Sequence, residues 1–169
     1  MNDKEETMSD QDFTDIGRRD TERHLLVAVD GSENSKRAVM YLADFFGDDK
    51  DVFITILSII PEPSEDYFAT DKKRNEWLAD QEAAMNSTLA EYKEILLGAG
   101  FQENQIELRL VIRQCESIGD AILEEQAKLR CCIVVVGRRG LSHNEEFIFG
   151  STSNKILHHA TNCAVMVVE

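Results

Sequence analysis

The chain has 169 residues, 43% of them hydrophobic and 30% charged, enough for one domain with a sizeable core. Eighteen Lys and Arg against 32 Asp and Glu give a net charge of −14; such a surface repels nucleic-acid phosphates and anionic lipids, so neither a nucleic acid nor a membrane is an expected partner. No apolar run approaches the roughly 20 residues of a membrane-spanning helix, and the opening MNDKEETMSDQDF is acidic without an apolar core, so it reads as no secretory signal and the cytoplasm is the expected compartment.

Residues 1–22 hold eight Asp or Glu and three Lys or Arg with little periodic hydrophobicity, the composition of an acidic, disordered tail. The remainder, 23–169, reads as one α/β domain. His24 to Asp30 is a near-continuous apolar run ending in Asp-Gly-Ser, as a buried parallel strand does. Ala38, Tyr41, Leu42, Phe45 and Phe46 then repeat at helical spacing, with Ser32 as N-cap and Gly47 as terminator. Asp51 to Ile60 is a second strand, stopped by Pro61-Glu62-Pro63. A long helix follows over about 71–97, closed by Gly98 and Gly100, with Trp77, Ala84, Leu89, Tyr92, Ile95 and Leu96 as its buried stripe.

Gln105 to Ile112 alternates as a third strand with one face less buried. Ser117 to Leu129 is a third helix whose apolar members are Ile118, Ala121, Ile122 and Leu129, with Glu125 at the edge of that face. Cys131 to Val136 is a fourth strand, Ser151 to His159 a short helix, and Cys163 to Val168 a fifth strand. Strict β-α alternation implies a parallel sheet, doubly wound, with helices on both faces. The four cysteines lack CxxC spacing; the adjacent Cys131 and Cys132 point to opposite faces and read as small buried side chains. The histidines His24, His143, His158 and His159 show no metal-site spacing, and the last two suit the C-terminus of their helix.

Doubly wound sheets bind ligands beyond the carboxyl ends of their strands, where the winding direction reverses. If strands one and four are central neighbours, two loops line that crevice. One is Asp30-Gly31-Ser32. The other runs from Gly137 through Gly140 to Gly150-Ser151-Thr152. Gly140 either adopts a positive φ or lets a group approach the backbone closely. Gly150 removes a Cβ where the next helix exposes free N–H groups, and with Ser151 and Thr152 it forms an anion site suited to phosphate. Arg138 and Arg139 are a basic pair in an acidic protein, so one of them can approach a phosphate. Asp30 can accept ribose hydroxyls or hold a phosphate-bound Mg²⁺ through water; its structural alternative is to tie down the Asp-Gly turn. Neither a Walker A loop nor an early GxGxxG occurs.

These residues resemble the universal stress protein family, ATP-binding subgroup, over about 24–169. Leu25 to Ser32 is similar to the family's opening strand and turn. Gly137-x2-Gly140-x9-Gly150-Ser151 matches its ATP-binding signature, and Ala160 to Val168 resembles its closing strand, although many members carry Pro where this chain has Ala164. The resemblance implies a five-stranded sheet of order 3-2-1-4-5. It implies an adenine nucleotide (ATP, or AMP or ADP, with Mg²⁺ as an option) contacted by Asp30 at the ribose or a metal-bound phosphate and by the Ile59 backbone at adenine. Gly137, Arg138 and Gly140 would flank the ribose and phosphates; Gly150, Ser151 and Thr152 would bind the phosphate chain. It also implies a homodimer paired through the last strand. Glu145 and Glu146 depart from the pattern by adding negative charge in the phosphate loop. The expected function is a nucleotide-binding regulator. Open alternatives are a slow ATPase, for which only His143, Glu145 and Glu146 offer candidate bases, and a nucleotide-independent dimeric scaffold.

Overall fold

The computed structural model describes residues 23–140 and 150–169. The acidic segment 1–22 and the stretch that carries His143, Glu145 and Glu146 lie outside the described residues. In chain order the elements are β1 (Arg23–Ala28), α1 (Glu33–Phe46), β2 (Val52–Pro61), α2 (Asp71–Gly98), β3 (Ile106–Arg113), α3 (Ile118–Leu129), β4 (Ile133–Gly137), α4 (Ser151–His159) and β5 (Ala164–Val168). The strands form one sheet of order β3-β2-β1-β4-β5, and every pairing is parallel, as expected.

Strand periodicity sorts the core into two layers. Leu25 and Val27 of β1, and Val29 just after it, pack with Ala38, Val39 and Leu42 of α1 and Leu89, Tyr92 and Leu96 of α2. Leu26 and Ala28 face the other way, with Leu57, Val134 and Val136, onto Ala121 and Ile122 of α3 and Ile156 of α4. Cys131 joins the second layer and Cys132 packs against the first, so the adjacent pair does divide between the faces. The fourth strand starts two residues later than its apolar run, at Ile133. Burial pushes the Cys131 thiol up to about 12, which makes it an inert packing group.

Two sequence expectations need correction. Ala84, read into the buried stripe of α2, is exposed, and the fully buried residues of that helix are Leu89, Tyr92 and Leu96. Length explains this: 28 residues of helix span about 42 Å, whereas the ten residues of β2 span about 33 Å. The N-terminal half of α2 therefore overreaches the sheet. Glu125, expected at the edge of its helical face, is 2% exposed. Its carboxylate accepts from Arg109 Nε of β3 at 2.8 Å and from Lys128 Nζ at 2.6 Å. Burial pushes this carboxyl up, but the Lys128 hydrogen bond and the charges of Arg109 and Lys128 outweigh it and hold its pKa below the ordinary value.

Candidate functional site

All five strands point their carboxyl ends to one rim. The chain leaves β1 toward β2 on one side, and β4 leads to β5 on the other, so the winding reverses between β1 and β4. On the β1 side, Val29 still donates its N–H to Leu57 O at 2.8 Å, after which the ladder stops. Gly31 takes φ +79°, and the turn brings the Ser32 N–H to Asp30 Oδ1 at 3.0 Å. Ser32 then caps α1 by accepting from the Ser35 N–H at 3.2 Å. The Ser35 hydroxyl sits 2.8 Å from Ser32 O, to which it donates, and 3.4 Å from the Tyr92 hydroxyl. Burial pushes the Tyr92 phenol up, against the lowering effect of Ser35.

On the β4 side, Arg138 acts mainly through its backbone. Its N–H donates to Val168 O at 2.7 Å, and its carbonyl accepts from Gly150 N at 2.9 Å and Ser153 Oγ at 2.7 Å. These bonds hold the two described ends of the loop together at the head of α4. The Arg138 side chain pairs with Glu169 and does not line the crevice; Arg139 does. Asn34 Nδ2 anchors the Arg139 carbonyl at 3.2 Å. Arg139 Nε is buried without a hydrogen-bond partner among the described residues, as are the Nε atoms of Arg74, Arg113 and Arg138. Gly140 does not use a positive φ. Its role is close approach: a Cβ there would collide with Asp30 Oδ2. Asp30 and Gly140, far apart in sequence, thus form one contact across the β1–β4 gap.

The helix termini differ in a telling way. The first three helices each carry a hydroxyl cap: Ser32 on α1, Thr70 on α2 and Ser117 on α3, each accepting from a first-turn N–H. The cap position of α4 is Gly150, with no side-chain cap. The first ladder bond runs from Asn154 N to Gly150 O at 2.9 Å. The preceding N–H groups of Ser151, Thr152 and Ser153 thus lack intrahelical acceptors, and the positive end of the helix dipole lies beside them.

These parts enclose a cavity of about 440 Å³, within the range of small-molecule and cofactor sites. Of the sequence-predicted residues, Asp30, Ile59, Gly137, Gly140, Gly150, Ser151 and Thr152 line it, and Arg138 does not. The Asp30-Gly31-Ser32 loop lines it as expected through Asp30 and Ser32, whereas sequence reasoning missed Ser35, Trp77, Gln81, Met85 and Ile118. The spacing 77, 81, 85 was a legible helical stripe, but spacing alone does not tell a core from a cavity wall. Ile118, counted with the buried face of α3, is 36% exposed at this site. Among the described lining residues Asp30 is the one carboxylate and Arg139 the one guanidinium. No cluster of His, Cys, Asp or Glu among the described residues could hold a metal ion by itself. A cation here would need ligands from a bound molecule in addition to Asp30.

The model of the universal stress protein family matches residues 22–169. A relative from Staphylococcus aureus (strain USA300) that carries a universal stress protein name is 30% identical over 152 residues, covering 88% of this chain and 84% of the relative. Universal stress protein UspA from Lactobacillus plantarum is similar in structure with a TM-score of 0.73 at 17% identity, covering 86% of this chain and 97% of that one. The universal stress protein from Archaeoglobus fulgidus, solved in complex with dAMP, gives 0.62 at 18% identity over 88% and 99% of the two chains. Joined to the sheet order and the Gly-rich passage from β4 into α4, the family match over nearly all of the described residues leads to one conclusion: this chain belongs to the universal stress protein family.

Proposed function

We propose that the cavity binds an adenine nucleotide, ATP or else ADP or AMP, and that occupancy regulates contacts with a second copy or a partner. The observation that carries this reading is the uncapped head of α4 in a cavity also lined by Arg139, in a chain of net charge −14. Three N–H donors, a helix dipole and a guanidinium together favour a polyanion where the rest of the surface repels one. Asp30, whose Oδ1 accepts from the Ser32 N–H, supplies the carboxylate of the described lining, a group suited to neutral donors such as ribose hydroxyls. Ile59, Gly137 and Gly140 line the same cavity, and in this reading the Ile59 backbone meets the base while the two glycines flank the sugar. The dAMP held by the Archaeoglobus fulgidus relative supports this class of ligand. Arg138 serves from its backbone by fixing Gly150. Mg²⁺ would enter with the phosphates, which supply most of its oxygens, and Asp30 would bind it through water.

The regulatory half of the reading rests on β5. It is the sheet edge, and its apolar residues Val165, Met166 and Val167 are only half-buried; such an edge pairs readily with a second copy. No described helix is long and apolar enough to cross a membrane, and free thiols at Cys115, Cys131, Cys132 and Cys163 suit a reducing cytoplasm. Mass spectrometry of small molecules released from the purified protein, followed by equilibrium dialysis with ATP, ADP and AMP, tests the proposal. It expects one adenine nucleotide per chain at saturation. Clean protein with no affinity for any of the three contradicts it.

A further inference from the structure

The nucleotide reading assigns the polar end of the cavity and leaves its opposite wall unexplained. That wall belongs to the overreaching half of α2. Trp77, Gln81 and Met85 follow one another at four-residue spacing, so they form a single stripe on that helix, and all three line the cavity. They share the cavity lining with Ile60 at the end of β2 and Ile122 of α3. The stripe is held rigidly. Arg74, one turn before Trp77, pairs with Glu62 beyond β2, and the Phe68 ring packs on the indole with centroids 5.6 Å apart. An apolar slot with one amide thus lies two strands from the head of α4.

We infer that this stripe is the base-reading wall of the site: Trp77 stacks on the nucleobase, Met85 closes the slot, and the Gln81 amide hydrogen-bonds the base edge and sets the preference among purines. The inference rests on the nucleotide reading, because it needs the phosphates at α4 to fix the base in register. A planar π-face against an indole is a sequence-tolerant attraction, whereas an amide with both donor and acceptor discriminates base edges.

Trp77 is the sole tryptophan of the chain, so its emission reports the wall directly. The experiment titrates the dialysed full chain with ATP, GTP and inorganic tripolyphosphate, following fluorescence and, by calorimetry, affinity. ATP should quench the emission saturably, and tripolyphosphate should bind without that quench. Trp77→Ala should weaken ATP about ten-fold while leaving tripolyphosphate unchanged, and Trp77→Phe should restore most of the affinity. Gln81→Ala should change the ratio of ATP to GTP affinity several-fold. Equal emission changes with ATP and tripolyphosphate overturn the assignment, and they do so even if Trp77→Ala fails to fold. Unchanged ATP affinity in a folded Trp77→Ala variant overturns it as well, leaving the nucleotide reading standing. Failure of the wild type to bind any of the three ligands removes both.

Discussion

Asp30 and Gly140 meet across the gap between β1 and β4, and each constrains what the other can be. A Cβ at position 140 would displace the Asp30 carboxylate, so Gly140→Val should act on ligand binding through Asp30 more than through the fold. Asp30→Ala removes the one carboxylate of the described lining together with the acceptor for the Ser32 N–H. Both variants should weaken ATP by about ten-fold or more, the usual loss for a charge-assisted hydrogen bond, with unchanged circular dichroism. Calorimetry with purified variants checks this, and unfolding without a specific binding defect would make the two residues structural. At this scale the sequence was legible where a residue type has few uses: the glycines, Asp30, and Ser151 at a helix head. It was illegible where two neighbours compete for one role. Arg138 and Arg139 look alike in sequence, and the choice between them follows from strand alternation and from Glu169 capturing Arg138 at the sheet edge.

The helices show how local capping and function diverge. A serine at position 150 would have room, since a Cβ there meets Arg138 O at an ordinary 3.4 Å. Its hydroxyl would cap α4 as Ser32, Thr70 and Ser117 cap the others. Gly150→Ser should therefore stabilise the fold by a few tenths of a kcal/mol and weaken phosphate binding several-fold, because the side chain then occupies an N–H meant for the ligand. Urea unfolding and ATP titration of the same sample separate the two effects. On α3, Glu125 couples the helix to β3 through Arg109. Loss of a buried charge partner typically costs roughly 3–5 kcal/mol; here Arg109 and Lys128 reach solvent, so Glu125→Ala should cost about 2 kcal/mol. Because the folded Glu125 pKa is depressed, its contribution is complete at pH 7 and disappears as the pH falls below the ordinary glutamate range through the lowered value. The gap between wild type and variant in urea midpoints should narrow in acid. Helical spacing placed Glu125 correctly on its helix but not its burial, since the partner that makes burial tolerable comes from a strand distant in sequence. The same limit hid the wall formed by α2: periodicity marks a face and is silent about what lies opposite.

At the scale of the molecule, the β-α alternation was enough to give the parallel sheet, because right-handed crossovers and two covered faces leave few windings for five strands. The strand order, which the family resemblance rather than the alternation supplied, is what places the ligand crevice between β1 and β4. Association is less constrained. Ala164 donates its N–H to the carbonyl of Cys132, just before β4, at 2.9 Å, so alternation turns the N–H groups of Val165 and Val167 outward along the free edge. Val167→Pro removes one of those donors while leaving the ladder to β4 intact, and should shift the proposed homodimer toward monomer by sedimentation velocity; an unchanged dimer would place the interface elsewhere. The central claim, a polyanion-binding nucleotide site in an acidic protein, is tested most directly by isothermal titration of nucleotide-free protein with ATP. The account predicts one saturable site per chain, lost in Asp30→Ala and Gly140→Val. Absence of binding in the wild type, or binding that both variants retain at full strength, would contradict it.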